Sequence, residues 1–266
     1  MGFPIEYQLN LICAGCPHGV GVLLCGYFVC ACNHGFVHSP NPNCDNDSMP
    51  TKAEDYLCPA PHSGKVAARA EIEIKRSHFI GLAARTPTEE SARDFIASVR
   101  STYPDARHHC SAYIIHQVAA QPIERSSDDG EPSGTAGKPM LEVVRGIEDI
   151  TVVVVRYFGG VLLGTGGLVR AYQDATRHAL GELSLVRRRQ RQLFRFQLDH
   201  AEAGRVEADI RATGFDVQEV DYGAKVTMRV ATDDGEELAN RIAALTGGQV
   251  EVERDGQAWV ESPHAQ

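Results

Sequence analysis

SDDGEPSGTAGKPMLEVVRGIEDITVVVVRYFGGVLLGTGGLVRAY, Ser127 to Tyr172, is the stretch on which the fold turns. It divides into an acidic glycine/proline loop, a short helix, a strand over Thr151 to Val155 that is apolar on every position after the threonine, a second glycine-rich turn and a second helix. A strand with no polar side predicts a place inside a sheet covered on both faces. Glycine is used where the backbone needs a positive φ or where something approaches the main chain closely. Two such loops flanking one buried strand therefore define the candidate working surface.

In the first loop, Ser127, Asp128, Asp129, Gly130, Glu131, Ser133, Gly134, Thr135 and Lys138 admit three readings. As a metal or acid/base site the loop offers clustered carboxylates but no EF-hand ladder. As a phosphate loop it offers Gly137-Lys138, but Pro132 and Pro139 stand where a Walker loop needs Gly and Ser/Thr. As a structural loop it has Thr135 capping a helix that starts near Lys138, with the acids solvated or bonded to backbone N–H groups. In the second loop, Arg156, Tyr157, Gly159, Gly160, Gly164, Thr165, Gly166 and Gly167 lie between strand and helix, which suits an anion. No dinucleotide fingerprint can be drawn, because Leu168 and Val169 follow Gly167. Close backbone packing explains the glycines as well.

Outward from this stretch, Val66 to Ile74 alternates as a half-buried strand, and Phe79 to Ala84 is its return. Thr86-Pro87-Thr88-Glu89 predicts a capping box, and Ala92, Phe95, Ile96 and Val99 fall on one face of a helix ending near Thr102. Ser111 to Gln117 is a further strand, preceded by Arg107, His108 and His109; the two histidines are read either as a base and a ligand or as polar residues at a strand start.

After about Leu185, Arg187, Arg188, Arg189 and Arg191 predict a linker over residues 187–192, read as solvated or as a phosphate-contacting clip. Beyond it come a strand (193–198), a helix (201–213), strands (215–220 and 224–230), a helix (236–245) and a strand (250–260). This βαββαβ order is the ferredoxin-like split unit.

At 266 residues, 43% of them hydrophobic, the chain can bury a core and is expected to hold two domains. Its net charge of −9 argues against wholesale nucleic-acid binding. From Leu193 onward there are 15 acids against 7 Lys/Arg, a net of −8, whereas Met49 to Gln192 carries 17 against 19, a net of +2. A nucleic-acid face is therefore expected on the first domain or the arginine run.

Residues 1–48 differ from the rest. They hold six of the eight cysteines and no Lys or Arg. Cys13, Cys16, Cys30, Cys32, His34, His38 and Cys44 raise zinc, but the second cysteine pair is C-x-C within an apolar run, poor ligand spacing. A secretory signal lacks its positive n-region, and no apolar run reaches the length of a membrane span. The leader is read as an upstream in-frame extension, disordered or non-native, with Met49 as the start. The two remaining cysteines, Cys58 and Cys110, suit a reduced cytoplasm.

S-D-D-G-E-P-S-G-T-A-G-K-P-M at Ser127 to Met140, V-V-V-R-Y-F-G-G at Val153 to Gly160 and G-T-G-G-L-V-R-A-Y at Gly164 to Tyr172 resemble the signature of the IMPACT/YigZ family, and D-A-R-H-H-C at Asp105 to Cys110 resembles its bacterial branch. The resemblance covers about Met49 to the end. It implies an α+β protein of two domains: residues 49–186, similar to domain two of the fifth small-subunit ribosomal protein, and residues 193–260, ferredoxin-like, with a tail over 261–266. It further implies action in translational control, in eukaryotic members through binding a large activator of a translation-control kinase. An old association with Xaa-Pro dipeptidase finds no two-metal spacing here. The chain is accordingly expected to be a cytoplasmic, non-enzymatic binder without cofactor or metal. Its expected partner is a protein or ribosome/RNA, not a membrane. The alternative is a peptidase-like hydrolase using Asp128, Asp129 and Glu131 with His108 and His109.

Overall fold

In the computed structural model the described residues are 21–24, 27–30 and 55–264, and the chain separates into one unit up to Thr51 and a second over Lys52–Gln266. In the first unit, β1 (Gly21–Leu24) and β2 (Tyr27–Cys30) pair antiparallel as a hairpin. Cys13, Cys16, Cys32, His34, His38, Cys44 and Met49 lie outside the described residues.

The second unit carries two five-stranded sheets. The first has the order β4-β5-β8-β6-β7, antiparallel throughout, built from β4 (Ala68–Ile74), β5 (Ser77–Arg85), β6 (His108–Ile115), β7 (Ile123–Ser127) and β8 (Ile150–Tyr157). β8 is the central strand, buried from Ile150 to Arg156. Its side chains alternate between two cores, as the strand period requires. Val153 and Val155 join Ile80, Leu82, Phe95 and Val99 under helix α1 (Glu89–Thr102). Ile150, Val152 and Val154 join Met140, Val144, Ala171, Tyr172 and Ala175 under α2 (Gly137–Val144) and α3 (Thr165–Gly181). The apolar-on-both-faces pattern thus corresponds to a sheet between helical layers.

The α1 cap sits two residues later than the sequence suggested. Thr88 accepts from the Ser91 N–H at 3.1 Å, and the Ser91 hydroxyl faces the Thr88 N–H at 3.1 Å. Thr86 is instead buried, its hydroxyl 2.6 Å from that of Thr151. The tertiary partner on β8 takes the threonine that the local pattern offered as the cap.

The second sheet runs β10-β11-β9-β12 and is built from β9 (Leu185–Leu198), β10 (Asp216–Tyr222), β11 (Val226–Thr232) and β12 (Glu253–Pro263). With α4 (His200–Ala212) and α5 (Gly235–Thr246) it makes the expected βαββαβ unit around Phe196, Leu198, Val206, Ile210, Met228, Leu238 and Ile242.

Residues 187–192, expected as a linker, belong to β9. β12 pairs along one edge of that stretch, and β3 (Asp55–Pro59) pairs with Leu185 to Arg189 on the other. Strand alternation sends Arg187 and Arg189 to Asp55, and Arg191 with Arg189 towards Asp233. Arg188 points the other way, over the Trp259 ring at 5.0 Å and towards Tyr56 and Asp149. Tyr56 stacks on His116 at 4.0 Å and donates to Asp149 at 2.8 Å, while Arg85 forks onto Glu261. The arginine run is therefore a mortised junction between the two sheets, neither a solvated linker nor an unengaged clip.

Candidate functional site

One end of the first sheet gathers most of the predicted site. β6 starts there and β8 ends there, since His108 pairs with Arg156 and His109 with Val155. β7 also ends there, with Ser127 opposite Ser111. The loop from Asp128 to Ala136 and the loop from Phe158 to Gly164 both leave from this end.

The three acids of the first loop have separate, internal tasks. Asp128 accepts from the backbone N–H of Gly134 at 2.8 Å, Ala136 at 3.0 Å and Gly137 at 2.8 Å. It thereby caps α2, whose own N-cap position, Ala136, has no side-chain acceptor. Thr135, the expected cap, donates instead to the Pro132 carbonyl at 2.7 Å. Partial burial pushes the Asp128 carboxyl up, but the Gly134, Gly137 and Ala136 N–H groups outweigh it and hold the acid below its ordinary value. Gly137 is required because a Cβ there would sit 2.7 Å from the Ser127 backbone, so loop and helix start are in direct contact.

Asp129 adopts a positive φ of 44°. Its carboxylate accepts from Arg100 of α1 at 2.5 Å and from the His109 N–H at 2.6 Å, while its carbonyl lies 2.9 Å from His108 Nδ1. Burial again raises this acid, and Arg100 with the His109 amide brings it below the ordinary range.

Glu131 is buried. One of its oxygens accepts from Arg156 at 2.6 Å and from the Tyr172 hydroxyl at 2.8 Å, with His108 Nε2 4.0 Å away. The Arg156 guanidinium lies between the rings of Phe79 at 5.5 Å and Phe158 at 5.6 Å. Burial drives the Tyr172 phenol upward and pushes the Cys110 thiol up to about 12, so both stay protonated near neutral pH. Cys110 donates to the Asp128 carbonyl at 3.0 Å.

The histidines are engaged in the same way: His109 Nε2 lies 2.9 Å from the Tyr103 carbonyl, and its Nδ1 is 3.8 Å from Asp129. His108 and His109 therefore do meet the acidic loop, as the hydrolase alternative requires. Asp128 and Asp129, however, have both carboxylate oxygens on backbone N–H groups or an arginine, and one Glu131 oxygen is held by Arg156 and Tyr172. Among the described residues no group of three or more His, Cys, Asp or Glu is arranged to hold a metal.

In the second loop the ordering is different. Gly159 lies on the β4–β5 turn, where a Cβ would overlap the Arg76 backbone, and its N–H donates to the Ser77 hydroxyl at 3.1 Å. Gly160, Gly164, Thr165 and Gly166 are exposed, with Gly164 at φ 71° immediately before α3. Arg107, Gly130, Ser133, Gly134 and Lys138 are exposed on the same end, and Tyr157 donates to Asp105 at 2.9 Å. Residue-by-residue reading passed over Phe158 and Leu162, 52% and 83% exposed. It also passed over Arg100 and Tyr172, which close the network from two helices.

A two-domain α+β protein with a rigid loop network at one end of its first sheet is the class these features define. The Impact N-terminal domain model matches residues 75–180, and the domain of unknown function DUF1949 matches residues 196–249. The chain is 35% identical over 201 residues to the IMPACT family member YvyE of Bacillus subtilis, covering 74% of this chain and 92% of that protein. To the IMPACT family member YigZ of Escherichia coli it is 40% identical over 184 residues, covering 68% and 90%. Among solved structures it is similar to that of the two-domain translational regulator Yih1, 27% identical over 46% of this chain and 48% of the other, with a TM-score of 0.33. The chain belongs to the IMPACT family.

Proposed function

We propose that this protein is a non-enzymatic binding protein that regulates translation, acting through a protein or ribosome/RNA contact at the loop-bearing end of the first sheet. The observation that carries the binding reading is the internal use of the acids. Asp128 holds three backbone N–H groups, Asp129 holds Arg100 and the His109 amide, and Glu131 holds Arg156 and Tyr172. Carboxylates committed in this way set the shape of a surface and are poorly placed to accept a substrate proton. Glycine main chain, Arg107, Lys138 and two apolar side chains are among the groups that face outward.

The link to translation comes from family membership and from what the sequence resemblance implies. No described helix is long and apolar enough to cross a membrane. The test is sedimentation of the purified protein with ribosomes, wild type against Arg107→Glu/Lys138→Glu at two exposed positions, with an unchanged circular-dichroism spectrum as the check on the fold. Recovery of the wild type in the ribosomal pellet and loss of the variant is the expected result; equal background recovery of both would remove the ribosomal part of the reading.

A further inference from the structure

We propose that Phe158, backed by Arg156, is a base-stacking platform, and that the end of the first sheet around it binds a single-stranded RNA segment. This rests on the binding reading above and names the ligand class.

The geometry at Phe158 is unusual for an exposed aromatic residue. Its ring is half exposed, yet the Arg156 guanidinium lies 5.6 Å from the ring centroid. That guanidinium is itself buried, ion-paired to Glu131 at 2.6 Å and set against Phe79 at 5.5 Å. One side of the ring is therefore fixed on an immobile cation while the rest is open to solvent. Leu162, 83% exposed, rises from the same loop. Gly159 and Gly160, directly after Phe158, add no side chain that would screen a flat ligand.

Charge decides between occupants. Lys75 and Arg76 form the β4–β5 turn on which Gly159 rests, Arg107 precedes the residue paired with Arg156, Lys138 opens α2, and Arg170 lies one helical turn beyond Gly166; all are exposed. The acids at this end are mostly withdrawn: Asp128 onto backbone N–H groups, Asp129 onto Arg100, Glu131 onto Arg156. Glu73, 4.0 Å from His78, and Asp105, holding the Tyr157 hydroxyl, remain near the surface. The exposed cations outnumber them in a protein that is otherwise acidic. Cations around an open aromatic ring suit a polyanion with unpaired bases, because backbone charge follows the cations and any base can stack on the ring. A duplex offers no free base face to Phe158.

The test titrates the full chain into a fluorescein-labelled, unstructured A/C-rich RNA 12-mer at low salt, read by anisotropy. Binding that weakens with salt is expected, with Phe158→Ala weakening it roughly 5- to 150-fold, the range typical of one stacked base. Phe158→Leu, which keeps apolar bulk, should weaken it nearly as much, and Arg107→Glu/Lys138→Glu should lower the salt slope. A cooperative thermal transition in the Phe158 variants, lowered by no more than about 4 °C, establishes that the loss is local. No binding by the wild type, full binding by both Phe158 variants, or tighter binding of an RNA duplex or of DNA of the same sequence would each overturn the proposal. Ribosome sedimentation that persists without oligonucleotide binding would overturn the RNA platform and leave the binding reading standing.

Discussion

The loops from Asp128 to Ala136 and from Phe158 to Gly164 leave the same end of the same sheet, and they treat their side chains in opposite ways. The first is rich in acids and turns them inward, onto α2's open N–H groups, onto Arg100 and onto Arg156. The second is rich in apolar residues and turns Phe158 and Leu162 outward. The usual sorting of charge to water and hydrocarbon to core is reversed at both. Burying a carboxylate is tolerable only with partners, and Glu131 has two. Phe158 and Leu162 are two exposed apolar side chains on one glycine loop, and the contrast with the committed acids lies there.

The sharpest way to break this contrast is to remove one inward charge. Glu131→Ala leaves the Arg156 guanidinium, 7% exposed, without its counter-ion. The expected cost is about 3–5 kcal/mol of unfolding free energy by urea denaturation, the range for half of a buried pair. Replacing both partners, as Glu131→Leu/Arg156→Met, should cost less than the single change, because no charge is left unpaired. A single-variant cost under about 1 kcal/mol would mean that the pair is solvated and the loop is not inward-facing.

Gly159→Ala is next. A Cβ there overlaps the Arg76 backbone, which is main chain and cannot swing aside. A loss of about 1–3 kcal/mol is expected by thermal or urea unfolding, as for other overpacked sites. Asp128→Ala follows at about 1–2 kcal/mol, the value of a helix cap. Its pH dependence adds a second readout. The folded-state acid is lowered, so its stabilisation is fully present above the ordinary carboxylate value of about 3.9 and is lost as pH falls through the lowered value. Wild type and Asp128→Ala should therefore differ at pH 7 and converge under strong acid.

The two loops also differ in how legible they were. β8 was readable because Val152 to Val155 are apolar whichever face is counted, and the βαββαβ order was readable because each element keeps its own period. Arg187 to Arg191 read as a linker because polar residues on both faces of a strand give no alternation of hydrophobicity. Their partners, Asp55 and Asp233, are about 130 and 40 positions away and have no local signature. The acidic loop stands out by composition, but sequence spacing cannot tell an acid that holds a helix end from one that holds a metal. Phe158 has no local signature of exposure, since an aromatic residue after a buried strand suits the core as well as the surface, yet it is half in solvent.

The smallest expected effect is at Leu162, and it tests the outward half of the contrast. At 83% exposure its side chain has little to lose from polarity, so Leu162→Ser should change unfolding free energy by no more than about 0.5 kcal/mol. Phe158→Ser should cost slightly more, about 0.5–1 kcal/mol, because it also removes the ring from the Arg156 guanidinium. Measured together by urea denaturation, the two bracket how much of the loop the fold itself needs. If Leu162→Ser costs more than about 1 kcal/mol, Leu162 is covered in solution, by another part of the chain or by a second copy. A concentration-dependent melting temperature then separates the two, since only a covering second copy ties stability to protein concentration.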